Sequence, residues 1–137
     1  MAAGVADGKV ILLERAQNDT WSTREFQAHD GGINGLSWGP ATHPCLLLAE
    51  NNDYMNPNNE KAHTLVSKRF ITGGMDGRVK MWQQNFDTAQ FDLVSEIGAQ
   101  ASSQGGASSA HDDWVRDVAW CNNVGLLKDL VATVSED

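Results

Sequence analysis

The chain has 137 residues, 41% of them hydrophobic, and a net charge of −8. That length suits one compact domain. The acidic balance argues against nucleic acid or an anionic membrane as a direct partner, because holding a phosphate backbone needs clustered Lys and Arg.

No apolar run approaches the roughly 18 residues of a membrane span, so no direct membrane insertion is expected, and no basic-then-apolar leader is visible. The two cysteines, Cys45 and Cys121, make no disulfide framework, which fits a reducing compartment.

The first predicted element is a short apolar strand over residues 10–15. Asn18-Asp19 is turn chemistry; Asn18-Asp19-Thr20 matches a glycosylation acceptor but is read as a turn. A second strand, edge-like and charged, is predicted over 21–27. Residues 33–38 form the innermost strand of the next unit. An insertion over 39–68 then carries all three prolines, Pro40, Pro44 and Pro57, with a local strand over 45–49 and an exposed loop over 51–61. Strands over 69–73, 79–82 and 91–97 follow. Residues 98–110 are rich in Gly, Ser and Ala, carry no charge, and read as a flexible linker. Strands over 114–120 and 130–135 close the chain. Helix is nearly absent from this reading.

Two segments repeat. From His29, apolar residues stand at +4 (Ile33) and +7 (Leu36), with Trp38 at +9; from His111 the same positions hold Val115, Val118 and Trp120. A second pattern, Thr72-Gly73-Gly74-Met75-Asp76-Gly77-Arg78-Val79-Lys80-Met81-Trp82, is echoed by Asp7-Gly8-Lys9-Val10-Ile11-Leu12-Leu13. Thr133-Val134-Ser135-Glu136-Asp137 echoes its first half, and Asp follows Thr by four residues in both threonine segments. A shared spacing of this kind marks a repeat architecture.

The residue types suit a polar network between strands. Trp82 can donate its indole N–H to the Thr72 hydroxyl, Thr72 can bond the His29 imidazole, and His29 can bond the Asp76 carboxylate. A fully connected buried network is rigidifying, whereas a half-made one is costly. His29, Thr72, Asp76 and Trp82 are therefore read as a structural clamp, with His111, Thr133 and Asp137 as a second. A hydrolase triad of His, Asp and Thr is the weaker reading, because each Thr lies on a strand four residues before its Asp and not at an exposed nucleophile turn. His43, Cys45 and His63 lack the paired spacing of a zinc quartet, and Gly73-Gly74 lacks the rest of a phosphate loop. No catalytic residue, cofactor or metal is expected. Trp114 and Arg116 are candidate partner contacts, as these residue types are enriched at interface hot spots. Otherwise Trp114 covers a blade edge and Arg116 pairs with Asp113 or Asp117.

In its order of His, strand, Thr, Asp-Gly turn and strand ending in Trp, the chain resembles the WD-repeat β-propeller family. The resemblance implies an all-β, incomplete propeller, about two to two and a half four-stranded blades of an expected six. Residues 1–27 would end one blade, 28–97 form a complete blade with the 39–68 insertion, 98–110 link, and 111–137 begin the next. The chain then reads as a fragment of a longer protein that starts near the end of a second strand. Leu13 stands where the pattern expects Trp.

Lys68 through Asp76, His29 through Thr42 and Asp113-Trp114-Val115-Arg116-Asp117-Val118-Ala119-Trp120 are similar to one branch of that family. These are the WD-repeat subunits of the COPII vesicle outer coat, shared with the Y-shaped scaffold of the nuclear pore. The resemblance implies a non-catalytic scaffold in endoplasmic reticulum to Golgi transport, whose partners are an elongated helical coat subunit and nuclear-pore scaffold proteins. It implies a cytoplasmic location, peripheral on endoplasmic reticulum exit sites and COPII vesicles, and at the nuclear pore. Other WD-repeat adaptors, such as the related pore propeller or a ubiquitin-ligase substrate receptor, are the alternative. The apolar strands over 10–13 and 130–134 are expected to lack partners, so that the chain self-associates through open blade edges.

Overall fold

A computed structural model describes residues 1–16, 18–40, 58, 67–98, 109–122 and 128–137. They form three antiparallel sheets. The first holds β1 (Ala2–Gly4), β2 (Lys9–Arg15) and β3 (Trp21–Gln27). The second holds β4 (Ile33–Trp38), β5 (Arg69–Gly74), β6 (Val79–Gln84) and β7 (Phe91–Ile97). The third holds β8 (Val115–Trp120) and β9 (Val131–Ser135). Within each sheet, strands neighbouring in sequence neighbour in space. This all-β arrangement of successive antiparallel meanders is a partial propeller.

The β2 strand corrects one expectation. Far from lacking partners, it is the middle strand of its sheet. It pairs with β1 through Ala2↔Leu12, Ala3↔Ile11 and Gly4↔Val10, and with β3 from Lys9↔Gln27 to Arg15↔Trp21. Ala-Ala-Gly carries no strand propensity of its own. It is held by the ladder and by close packing, since a Cβ on Gly4 would sit 2.4 Å from Ile33 Cγ2.

Tight turns join β1 to β2 and β5 to β6 by the same device. The Asp7 Oδ1 accepts from Lys9 N at 3.2 Å and Asp76 Oδ1 from Arg78 N at 3.1 Å. The following glycines take positive φ, 84° at Gly8 and 71° at Gly77, which L side chains rarely adopt. Each turn then docks on the next unit: Gly8 O accepts from His29 N at 3.0 Å, and Gly77 O accepts from His111 N at 3.2 Å.

Successive side chains of a strand point to opposite faces, and β5 uses both. Phe70 enters a core with Val10, Leu12, Ala28, Trp82 and Phe91, between the first and second sheets. Ile71 enters another with Val79, Val115, Val118 and Trp120, between the second and third. All six β5 residues are buried. The third sheet is tied to the second by Asn34 Nδ2 donating to Val115 O at 2.8 Å and Trp120 N donating to Ser37 Oγ at 2.9 Å.

Most of the 39–68 insertion lies outside the described residues, with its local strand over 45–49, its loop over 51–61, and His43, Cys45 and His63. Residues 99–108 of the 98–110 linker lie outside them too. Among the described residues no helix is long and apolar enough to cross a membrane.

Candidate functional site

The side chains singled out in the first repeat stand in one hydrogen-bonded chain. Trp82 on β6 donates its Nε1–H to Thr72 Oγ1 on β5 at 2.9 Å. Thr72 Oγ1 lies 2.7 Å from His29 Nε2, and His29 Nδ1 lies 2.8 and 3.0 Å from the two Asp76 carboxylate oxygens. Thr72 faces Lys80 across the β5–β6 ladder, and Phe70 faces Trp82, so the indole reaches back two residues. The Gly74 position leaves room for the ring, since a Cβ there would lie 2.4 Å from His29 Nδ1.

The indole donates to Thr72 Oγ1, and the ionised Asp76 carboxylate only accepts, so His29 Nδ1 carries a proton directed at Asp76. With the imidazole neutral, its Nε2 accepts from the Thr72 hydroxyl. Burial holds His29 below the ordinary histidine range, against the pull of Asp76. Burial also pushes the Asp76 carboxyl up. The His29 ring and the backbone N–H groups of Arg78 and Asp30 more than offset that push, leaving Asp76 below the usual carboxylate range. Thr72 and His29 are almost fully enclosed, at 0% and 1% exposure.

The second set repeats the geometry nearer to water. His111 Nε2 lies 2.9 Å from Thr133 Oγ1, and His111 Nδ1 lies 3.1 Å from Asp137 Oδ1. The backbone N–H of Asp112 and the His111 ring hold the Asp137 carboxyl below its usual range. In the first sheet Ala3 and Leu13 align with Thr72 and Trp82, so the Asp7-Gly8 turn is kept without the hydroxyl and the indole of the network.

Arg69 was not singled out in the sequence. Its guanidinium lies over the Trp120 ring, 4.9 Å from the centroid, and its Nη1 donates to Asp129 Oδ2 at 2.8 Å. It therefore bridges the second and third sheets with only 7% of its surface exposed. Its Nε and Nη2, and Trp120 Nε1, have no hydrogen-bond partner among the described residues. No local pattern could reveal it, because its partners lie 51 and 60 residues further on.

Trp114 is 41% exposed, and the Arg116 guanidinium covers its ring at 5.2 Å from the centroid. Arg116 pairs with Glu136, not with Asp113 or Asp117. Those two carboxylates accept from the backbone instead, Asp113 from Trp114 N at 2.7 Å and Asp117 from Val118 N at 2.8 Å. The antiparallel Val115↔Ser135 register sets Glu136 opposite Trp114, whose O accepts from Glu136 N at 3.2 Å, and Arg116, in the bulge between Val115 and Asp117, reaches Glu136 from there. Among the described residues no group of three His, Cys, Asp or Glu side chains is placed to hold a metal.

Residues 57–83, which include Thr72, Asp76 and Trp82, match the family model described as WD domain, G-beta repeat. The chain is 33% identical over 137 residues to "Protein transport protein sec13" of Aspergillus fumigatus, covering 100% of this chain and 37% of that protein. It is 33% identical over 135 residues to "Protein SEC13 homolog" of Homo sapiens, covering 98% and 36%. The protein of the same type from Mycosarcoma maydis is also 33% identical, over 100% of this chain and 35% of the relative. The chain thus spans little more than a third of the length of the curated relatives it matches. With its three antiparallel sheets and its matched repeat, the chain belongs to the WD40-repeat family and is homologous to the SEC13 proteins along its whole length.

Proposed function

We propose that this chain acts as a non-catalytic scaffold in protein transport, as part of a COPII-type outer coat, with a second role in the nuclear-pore scaffold. The observation that carries the proposal is end-to-end similarity to proteins named for protein transport. The hydrogen bonding supports it: the His, Thr and Asp groups that a hydrolase would need are occupied with one another and with an indole. In this reading His29, Thr72, Asp76 and Trp82, with His111, Thr133 and Asp137, are clamps that fix successive blades. The blades run over 1–27, 28–97 and 111–137. The partners are an elongated helical coat subunit and pore scaffold proteins, met in the cytoplasm at endoplasmic reticulum exit sites and at the pore. Trp114 and Arg116 form a contact surface, since an aromatic ring under a guanidinium is a common hot-spot pairing.

The test is affinity capture from a cell extract on the immobilised chain, with the retained proteins identified by mass spectrometry. Coat or pore scaffold proteins are expected, with less retained by Trp114→Ala. Retention of ubiquitin-ligase components instead would replace this reading with a substrate-receptor one. Hydrolysis in a broad screen, abolished by Thr72→Val, would overturn the scaffold reading altogether.

A further inference from the structure

Between the ends of β2 and β4 lies a pocket of about 380 Å³. Its apolar wall is made of Leu12, Leu13, Trp38 and Phe91, and Arg15 and Lys68 stand on its rim. We propose that this pocket holds an apolar side chain of an acidic peptide segment, with the flanking carboxylates of the peptide on Arg15 and Lys68.

Three features carry the assignment. The first is the exposed tryptophan. Trp38 keeps 38% of its surface in solvent, yet its ring is fixed from behind by Phe70 at 5.1 Å and Phe91 at 6.0 Å between centroids. A rigid aromatic face of this kind loses little freedom when a partner covers it, and tryptophan is prominent among hot-spot residues. The second is size. Ligand pockets run from roughly 300 to 1,000 Å³, and this one stands near the lower limit, enough for one anchoring side chain.

The third is charge. The chain as a whole carries −8, but its sign reverses here. Lys68 is exposed. Arg15 holds only Asp19, in a pair with side chains 59% and 77% exposed, and such pairs contribute little. Glu14, the one carboxylate lining the pocket among the described residues, is taken by Arg24. Among the described residues a peptide carboxylate therefore meets two exposed cations, only weakly held, and a basic peptide meets like charge. This site is separate from the Trp114 surface, and its occupant is defined by chemistry alone, so the proposal does not depend on the scaffold reading.

The experiment is fluorescence polarisation of a labelled peptide, Glu-Glu-Leu-Phe-Glu-Glu, against its counterpart with lysine at every glutamate, using the whole 137-residue chain. The acidic peptide should bind about tenfold or more tightly than the basic one, equivalent to about 1.4 kcal/mol. Lys68→Glu should erase or invert that preference. Lys68 is exposed, so its melting transition should match the parent protein. Trp38→Ala, which removes the exposed ring and leaves both rim cations in place, should abolish binding of either peptide while a cooperative melting transition is kept. Absence of binding, equal affinity for the two peptides, or an acidic preference surviving Lys68→Glu would each overturn the proposal.

Discussion

Thr72 is the residue on which two buried donors and acceptors converge. Replacing its hydroxyl by methyl in Thr72→Val leaves the Trp82 N–H and His29 Nε2 without partners at a site closed to water. A buried polar group left unmade costs about 1–3 kcal/mol, so a loss of that order or somewhat more is expected from the urea midpoint. The same change at Thr133 should cost less, because His111 and Asp137 keep 19% and 36% of their side-chain surface in water. Equal losses at the two positions would show that enclosure is not what gives the first network its strength. Acid should weaken the first network from its histidine. Unfolded His29 takes a proton as pH falls through about 6.5, whereas the folded ring resists until lower pH. In that window the unfolded state binds more protons, so stability falls with pH. Asp76 acts further down: its stabilisation is present above the unfolded carboxylate range and is lost as pH falls through the depressed folded value. The midpoint should drop between pH 7.5 and 5, with a flatter slope in His29→Gln; an unchanged slope would assign the effect to other groups.

At the scale of elements, β5 shows what buries a strand on both faces. Phe70 and Ile71 are each fully enclosed, in different cores. Phe70→Ala should cost about 3–5 kcal/mol in the denaturation midpoint; a loss below about 1 kcal/mol would mean that the first and second sheets do not share a core. The seam on the other side depends on Arg69. Asp129→Ala leaves a guanidinium buried without its counter-charge, a loss of about 3 kcal/mol by the general cost of breaking a buried pair. Asp19→Ala, removing the exposed partner of Arg15, should change the midpoint by less than about 1 kcal/mol. These elements differ in how far the sequence announces them. The Thr72-Gly73-Gly74-Met75-Asp76-Gly77 run is legible because a carboxylate, a positive-φ glycine and a buried hydroxyl each need a particular residue type at a fixed offset. The β1 strand is not, because Ala-Ala-Gly is placed by its neighbours and carries no signal of its own. Arg69 and Glu136 were missed for a related reason: their partners are fixed by how sheets and ladders meet, not by spacing along the chain.

For the whole molecule, the location of the open edge matters most. The strand over 10–13 is covered on both sides, so the expectation of unpaired apolar strands narrows to β9. The last strands of the first and second sheets are blunted by charge: β3 carries Arg24 and Glu25, and β7 carries Asp92 and Glu96. Natural sheets use such residues to discourage pairing between chains. The β9 strand reads Val-Ala-Thr-Val-Ser with no charge, and Val134 is 53% exposed, with Leu130 just before it at 51%. Its only ladder is with β8, leaving its outer edge open among the described residues. A second copy of this chain can add its own β9 there, burying both valine rows and satisfying the free backbone groups at once. Sedimentation at micromolar concentration should show association of the 137-residue chain, and Val134→Lys should return it to monomer with an unchanged melting transition. A cooperative monomer at every concentration would mean that the third sheet is closed by some means other than a second copy. Association that survives Val134→Lys would move the contact away from β9, to the first or second sheet.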